Sequence, residues 1–152
     1  MTRINTIDPR LLTDQHLMAE YRELPMVHAA LSRSLSSLRG VDLSTLPGAY
    51  TLNKGHVRFF YNKGKWLYDR YHHLIDELAF RGYDIQPEMR VVNWNVFRDN
   101  NLFLDWEPNQ QAHRVNVERI IERVESKPQW YKYMRKDLQS NYLPILHQIM
   151  EA

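Results

Sequence analysis

The sequence predicts a compact all-α domain of about three main helices joined by long irregular loops. Three observations predict it. Apolar residues recur at helical spacing over 14–38, 65–80 and 110–125, and the segments between them gather Gly, Pro and Asn. No internal repeat or low-complexity linker divides the chain. At 152 residues the length fits one domain over 1–152, enough to bury a core and too little for two ordinary ones.

Asp14 is read as the N-cap of the first helix, which runs to about Leu38. Leu17, Tyr21, Leu24, His28, Leu31, Leu35 and Leu38 form one stripe, so that face is expected in the core. Gln15, Arg22, Met26 and Arg33 project opposite, with His16, Glu23 and Val27 along a flank. Pro25 lacks an N–H and clashes with the preceding turn, which predicts a kink beside Glu23. Residues 39–55 read as loop from Gly40, Pro47, Gly48 and Gly55. The apolar run 56–61 is a strand or a buried helical turn. A second helix over 65–80 offers Trp66, Leu67, Leu74, Ile75 and Leu78 to the core and stops at Gly82. Residues 83–109 are polar and acidic, with Trp94, Phe97, Phe103 and Trp106 as anchors. The third helix, 110–125, turns Val117, Ile120, Ile121 and Val124 inward, pairs Arg119 with Arg123 at i, i+4, and ends before Pro128. Residues 137–152 are a candidate C-terminal extension.

Composition narrows the chemistry. Hydrophobic content of 43% with 25% charged residues is globular. The absence of cysteine excludes a disulfide, a thiol nucleophile and a Cys-based zinc site. No apolar leader and no membrane-length run is present, so the expected setting is the cytoplasm, with nucleoid association and a viral or bacterial source. Net charge is only +2, but it is unevenly spread. Lys54, Arg58, Lys63, Lys65 and Arg70 face one acid over 54–71, and Lys127, Lys132, Arg135 and Lys136 face none over 127–136. Such clusters suit a polyanion, though a solvated face is the equal alternative. His72 and His73 near Asp76 and Glu77 point in different directions on a helix and mark no third ligand, so no metal site is read there.

The chain begins Met1-Thr2. A small second residue favours removal of Met1, which would free the Thr2 α-amine. That amine has a pKa of about 7.7–8.0 against about 10.4 for lysine, so a tenth or more is neutral at pH 7 and able to attack an electrophilic carbon. A carboxylate nearby could shuttle the protons.

Three blocks carry a family likeness: TRIN at 2–5 with DQHLMAEYRELP at 14–25, GHVRFFYNK at 55–63, and KPQWYKY at 127–133. On these the chain resembles the phage-type pyrimidine-dimer DNA glycosylases with abasic-site lyase activity. The resemblance implies cleavage of the glycosyl bond at cyclobutane pyrimidine dimers in duplex DNA through an imine, then strand nicking by β-elimination, by a monomer needing no cofactor or metal. It implies Thr2 as the amine, Glu23 as the carboxylate and Arg22 as their catalytic companion. It implies DNA contact by Arg3, with Gln15 and His16 either touching DNA or bracing the site. Arg119 and Arg123 fall where the family carries basic residues. Trp130, Tyr131 and Lys132 couple stacking faces to a cation, although those rings could equally pack on the core. GHVRFFYNK is given a structural role, with Phe59, Phe60 and Tyr61 in the core. Met26 stands where the family has a DNA-clamping arginine, which implies weaker binding or an altered lesion preference. The same chemistry on other damaged bases or bare abasic sites, and a non-catalytic damage-binding module, are the alternatives; a retained Met1 would favour the last.

Overall fold

The computed structural model describes residues 4–152 and is predominantly helical, a compact single domain. Helices α1 (Asp14–Glu23) and α2 (Met26–Ser36) are followed by the single turn α3 (His56–Phe59) and the long α4 (Gly64–Phe80). A short α5 (Asn95–Arg98) precedes α6 (Gln110–Ser126), a two-stranded hairpin β1 (Lys132–Tyr133) and β2 (Lys136–Asp137), and α7 (Tyr142–Glu151). α1 packs on α4, and α7 packs along α6.

The expected helix over 14–38 is two helices. Proline at position 25 supplies no N–H, and the chain re-enters helix at Met26. The N-cap is Thr13, not Asp14: the Thr13 hydroxyl accepts from the His16 amide (3.1 Å). Asp14 is instead buried, and its carboxylate accepts from Arg81. The core stripe also ends early. Leu31 is fully buried, but His28 and Leu35 are half-buried and Leu38 lies beyond the helix, fully exposed. Val27, expected on the flank, is in the core.

The run 56–61 is the buried helical turn of the two alternatives, entered through Gly55 at φ 91°. Phe59, Phe60 and Tyr61 are buried as expected. α4 ends in a Schellman arrangement: the Tyr83 amide donates to the Leu78 carbonyl, and the Gly82 amide to that of Ala79 (both 3.0 Å). Gly82 takes φ 86°, so the expected stop signal acts through its left-handed backbone. α6 starts at an Asn109 cap that accepts from the Ala112 amide (2.8 Å). The tail beyond 137 forms α7, whose Tyr142 and Leu146 are buried.

Not all the cations of residues 54–71 lie at the surface. Arg70 is 5% exposed and its guanidinium clasps the fully buried Glu20 through two bonds (2.7 and 2.9 Å). Lys65 pairs with Asp69, and the Lys63 ammonium lies 3.7 Å from the centre of the Phe59 ring. Arg70 thus belongs to the core, and Lys63 and Lys65 each have a partner within the protein. A tight joint sits at the start of α4, where a Cβ on Gly64 would come within 2.6 Å of the Phe97 side chain. Gly64→Ala is therefore expected to cost about 1–3 kcal/mol through overpacking, read as a lower denaturation midpoint at unchanged slope.

Candidate active site and nucleic-acid interface

The site is organised by residues 4–7, which run through the interior with their polar groups met by distant side chains. The Ile4 amide donates to His56 Nε2 (2.8 Å), and the Ile4 carbonyl accepts from the Tyr50 hydroxyl (2.7 Å). The Asn5 side chain donates to Glu20 (2.9 Å) and accepts from Asn116 (2.7 Å). The Thr6 amide donates to Asn116 Oδ1 (2.8 Å), and the Ile7 carbonyl accepts from Arg70 (2.6 Å). A segment with no helix or ladder of its own is thus held through its backbone by Tyr50, His56, Arg70 and Asn116. Thr2 and Arg3, expected as nucleophile and DNA contact, lie outside the described residues.

His56 must be neutral in this arrangement. Its Nδ1–H donates to the Thr51 carbonyl (2.8 Å), leaving Nε2 as acceptor. Burial holds its pKa below the ordinary 6.5, against the opposing pull of the Thr51 bond and the Glu20 charge. The unfolded chain therefore binds more protons as pH falls, so this stability is complete above about 6.5 and is lost as pH drops toward the folded-state pKa. Urea titrations of the wild type are expected to give lower stability at pH 5 than at pH 7. His56→Gln should have the shallower pH dependence, with His28 and His113, also lowered by burial, supplying the remainder.

Ile4 and Asn5 form one wall of a cleft of about 180 Å³. It gathers Gln15 and His16 from α1, Arg119 and Arg123 from α6, and Trp130 and Tyr131 beyond it. Six residues singled out in the sequence thus come together across separations of more than a hundred positions. No acidic side chain among the described residues lines it. A larger cleft, about 850 Å³, opens on Thr6 and Asp8 and carries Asp8, Asp69, Asp76, Glu77 and Glu107 against Arg10 and Arg70. The same segment therefore divides a cationic cleft from an acidic one, and a polyanion is favoured only by the first.

Inside the cationic cleft the roles divide. The Gln15 amide is committed to protein, donating to the Trp130 carbonyl (3.0 Å) and accepting from the Lys132 amide (2.9 Å). The His16 ring stacks on Tyr131 with centroids 4.9 Å apart and planes 10° off parallel. Of the aromatic pair, Trp130 stays 63% exposed, while Tyr131 is half-buried. Lys132 bonds the Gln129 carbonyl and pairs with Asp137. Arg119 and Arg123 are half-buried, and Arg123 Nε has no hydrogen-bond partner among the described residues. Arg119→Ala or Arg123→Ala should each lower the slope of log K against log salt by about 1 while leaving the fold intact; filter binding over a salt series measures it.

Glu23, Arg22 and Met26 are not among the cleft's lining residues. Glu23 is the half-buried last residue of α1, seven positions and so about 10.5 Å along the axis from His16, on the same stripe. Arg22 stands in the same relation to Gln15 and is exposed; Met26 opens α2 and is 51% exposed. Tyr50, Leu52, Asn53 and Asn116 complete the cleft without having been singled out. Asn53 alone carried a signal, as an Asn in a loop able to take φ 63°.

Among the described residues no group of three or more His, Asp or Glu is arranged to hold a metal ion, and no helix is long and apolar enough to cross a membrane. The family model described as pyrimidine dimer DNA glycosylase matches residues 1–91. That span contains the anchored N-terminal segment and α1 through α4; the arginines and aromatics across the cleft lie beyond it. The match covers more than half of the 152 residues, and with the acid-free cleft built onto it, the chain belongs to the pyrimidine dimer DNA glycosylase family, whose substrate is DNA.

Proposed function

We propose that the protein cuts the glycosyl bond at cyclobutane pyrimidine dimers in duplex DNA and then nicks the strand, working as a monomer through the Thr2 α-amine. The observation that carries this reading is the cationic cleft walled by Ile4 and Asn5, with only Arg3 between Ile4 and Thr2 in sequence. Once Met1 is removed, the neutral amine attacks the sugar's anomeric carbon. The nitrogen–carbon bond forms as the base leaves with the glycosyl electron pair, and ring opening gives the imine. Glu23 then takes the neighbouring sugar proton, the electrons move into the imine system, and the 3′ phosphate departs. Water releases the sugar fragment and regenerates the amine.

Arg22, Arg3, Arg119 and Arg123 hold phosphates, because a guanidinium meets two oxygens at once. Trp130 offers a sequence-tolerant stacking face to a displaced base. The duplex must be distorted for the amine to reach the anomeric carbon. A related reading, the same chemistry on other damaged bases, is favoured by Met26, an exposed apolar side chain on the face expected to meet DNA.

Three duplexes test the proposal: one with a single thymine dimer, one with an abasic site, and an undamaged control. Nicking of both damaged duplexes is expected. Nicking of the abasic duplex alone would move the substrate and keep the reaction. Binding without nicking, from chain shown by mass to lack Met1, would leave a DNA-binding module.

A further inference from the structure

Trp130 and Tyr131 line the far side of the cleft, yet the hairpin that follows them has little stability of its own. Its strands are two residues each, joined by a two-residue loop, Met134–Arg135, with φ of 52° and 66°. Two positive φ values in succession are the requirement of a type I′ turn, which Asn-Gly satisfies and neither Met nor Arg favours. The turn is held from outside. Both of its amides donate to the buried carboxylate of Asp14, Met134 to Oδ1 (3.1 Å) and Arg135 to Oδ2 (2.7 Å). Successive amides of a left-handed turn make an anion-binding concavity, and Asp14 fills it. Arg81 Nη1 (2.8 Å) and the Tyr83 hydroxyl (2.9 Å) fix the carboxylate from α4 and its exit. The next two residues of α1 continue the grip, through the Gln15 amide and the His16 ring described above.

We propose that Asp14 is a positioning residue for damage recognition: by fixing the Met134–Arg135 turn it presents Trp130 and Tyr131 at the cleft, and so sets the preference for damaged over undamaged duplex. Asp14 is 2% exposed and acts through the turn, without touching DNA. The inference rests on the reading of the cleft as the DNA site, but not on the imine chemistry.

The test uses the full chain and measures two quantities: the ratio of Kd values for undamaged and thymine-dimer duplexes, and the single-turnover nicking rate on a saturating abasic duplex. Asp14→Asn is expected to shrink the ratio about tenfold with the abasic nicking rate unchanged. Met134→Val, which leaves Asp14 intact and places a β-branched residue in the left-handed turn, should do the same. Met134→Asn with Arg135→Gly in the Asp14→Asn background should restore the ratio. If Asp14→Asn alone does not fold, Met134→Val decides. An unchanged ratio in folded Met134→Val, a wild-type ratio near one, or no restoration by the Asn-Gly turn in a folded protein would overturn the proposal. Absence of nicking by the wild type with a normal binding ratio would count against the imine mechanism alone.

Discussion

Glu23→Gln is expected to fold normally and to nick an abasic duplex about 10²–10⁴-fold more slowly than the wild type, the range by which a positioned proton acceptor accelerates a reaction. The substitution keeps the size of a half-buried side chain at the end of α1, so the helix and its packing should be undisturbed. Imine formation with an abasic sugar does not require the same proton transfer. Borohydride trapping should therefore persist in Glu23→Gln while nicking is lost. Loss of both in step would place Glu23 in imine formation; normal nicking would remove it from the mechanism.

The second large effect concerns stability. Arg70→Met should cost about 3–5 kcal/mol, because it leaves Glu20 charged and buried with the Asn5 amide as its remaining hydrogen-bond donor among the described residues. It also strips the Ile7 carbonyl of its donor. For a chain of this size the melting temperature should fall by roughly 6–20 °C. Replacing both partners, Glu20→Leu with Arg70→Met, should recover much of the loss, since a pair of well-packed apolar residues removes the uncompensated charge. Calorimetry of the two variants checks this. A small effect of Arg70→Met alone would contradict the structural role given to the pair.

The same pair explains where the sequence misleads. Periodicity located α4 and α6 closely, because Leu67, Leu74 and Leu78, and Val117, Ile120 and Val124, are apolar residues doing an apolar residue's work. Arg70 and Glu20 occupy core positions at the same spacing, but a charge count files them on the surface; the partner that makes burial tolerable is fifty residues away. Asp14 misled for a similar reason. A carboxylate before a helix satisfies the rule for caps, and nothing local reveals that amides at 134 and 135 claim it instead. The short hairpin is too brief to carry a periodic signal, whereas α7 does carry one, Tyr142, Leu146 and Ile149 at helical spacing, which the reading of 137–152 as an extension passed over.

The cleft was legible in part. Gln15, His16, Arg119, Arg123, Trp130 and Tyr131 stood out by residue type and family likeness, and they share one cavity. Their division of labour was not legible. Gln15 could contact DNA or brace the site, and only the fold turns both ends of its amide toward the backbone of 130 and 132. Likewise Lys132 is tied to Asp137, whereas Trp130 remains the exposed member of the motif. Asn116 gave no sequence signal and His56 only its place in the GHVRFFYNK block, because each receives a chain segment more than fifty positions away.

The attacking amine is proposed to be that of Thr2. Lys63 is the informative competitor, since burial pulls its ammonium down to about 8, within reach of neutral amine chemistry. The deciding measurement is borohydride trapping on duplexes carrying one thymine dimer or one abasic site, followed by mass mapping of the adduct. A sugar–phosphate adduct is expected on the N-terminal peptide beginning at Thr2, formed on both duplexes and abolished when the α-amine is blocked. An adduct on the peptide containing Lys63, or no adduct from chain that has lost Met1, would contradict it.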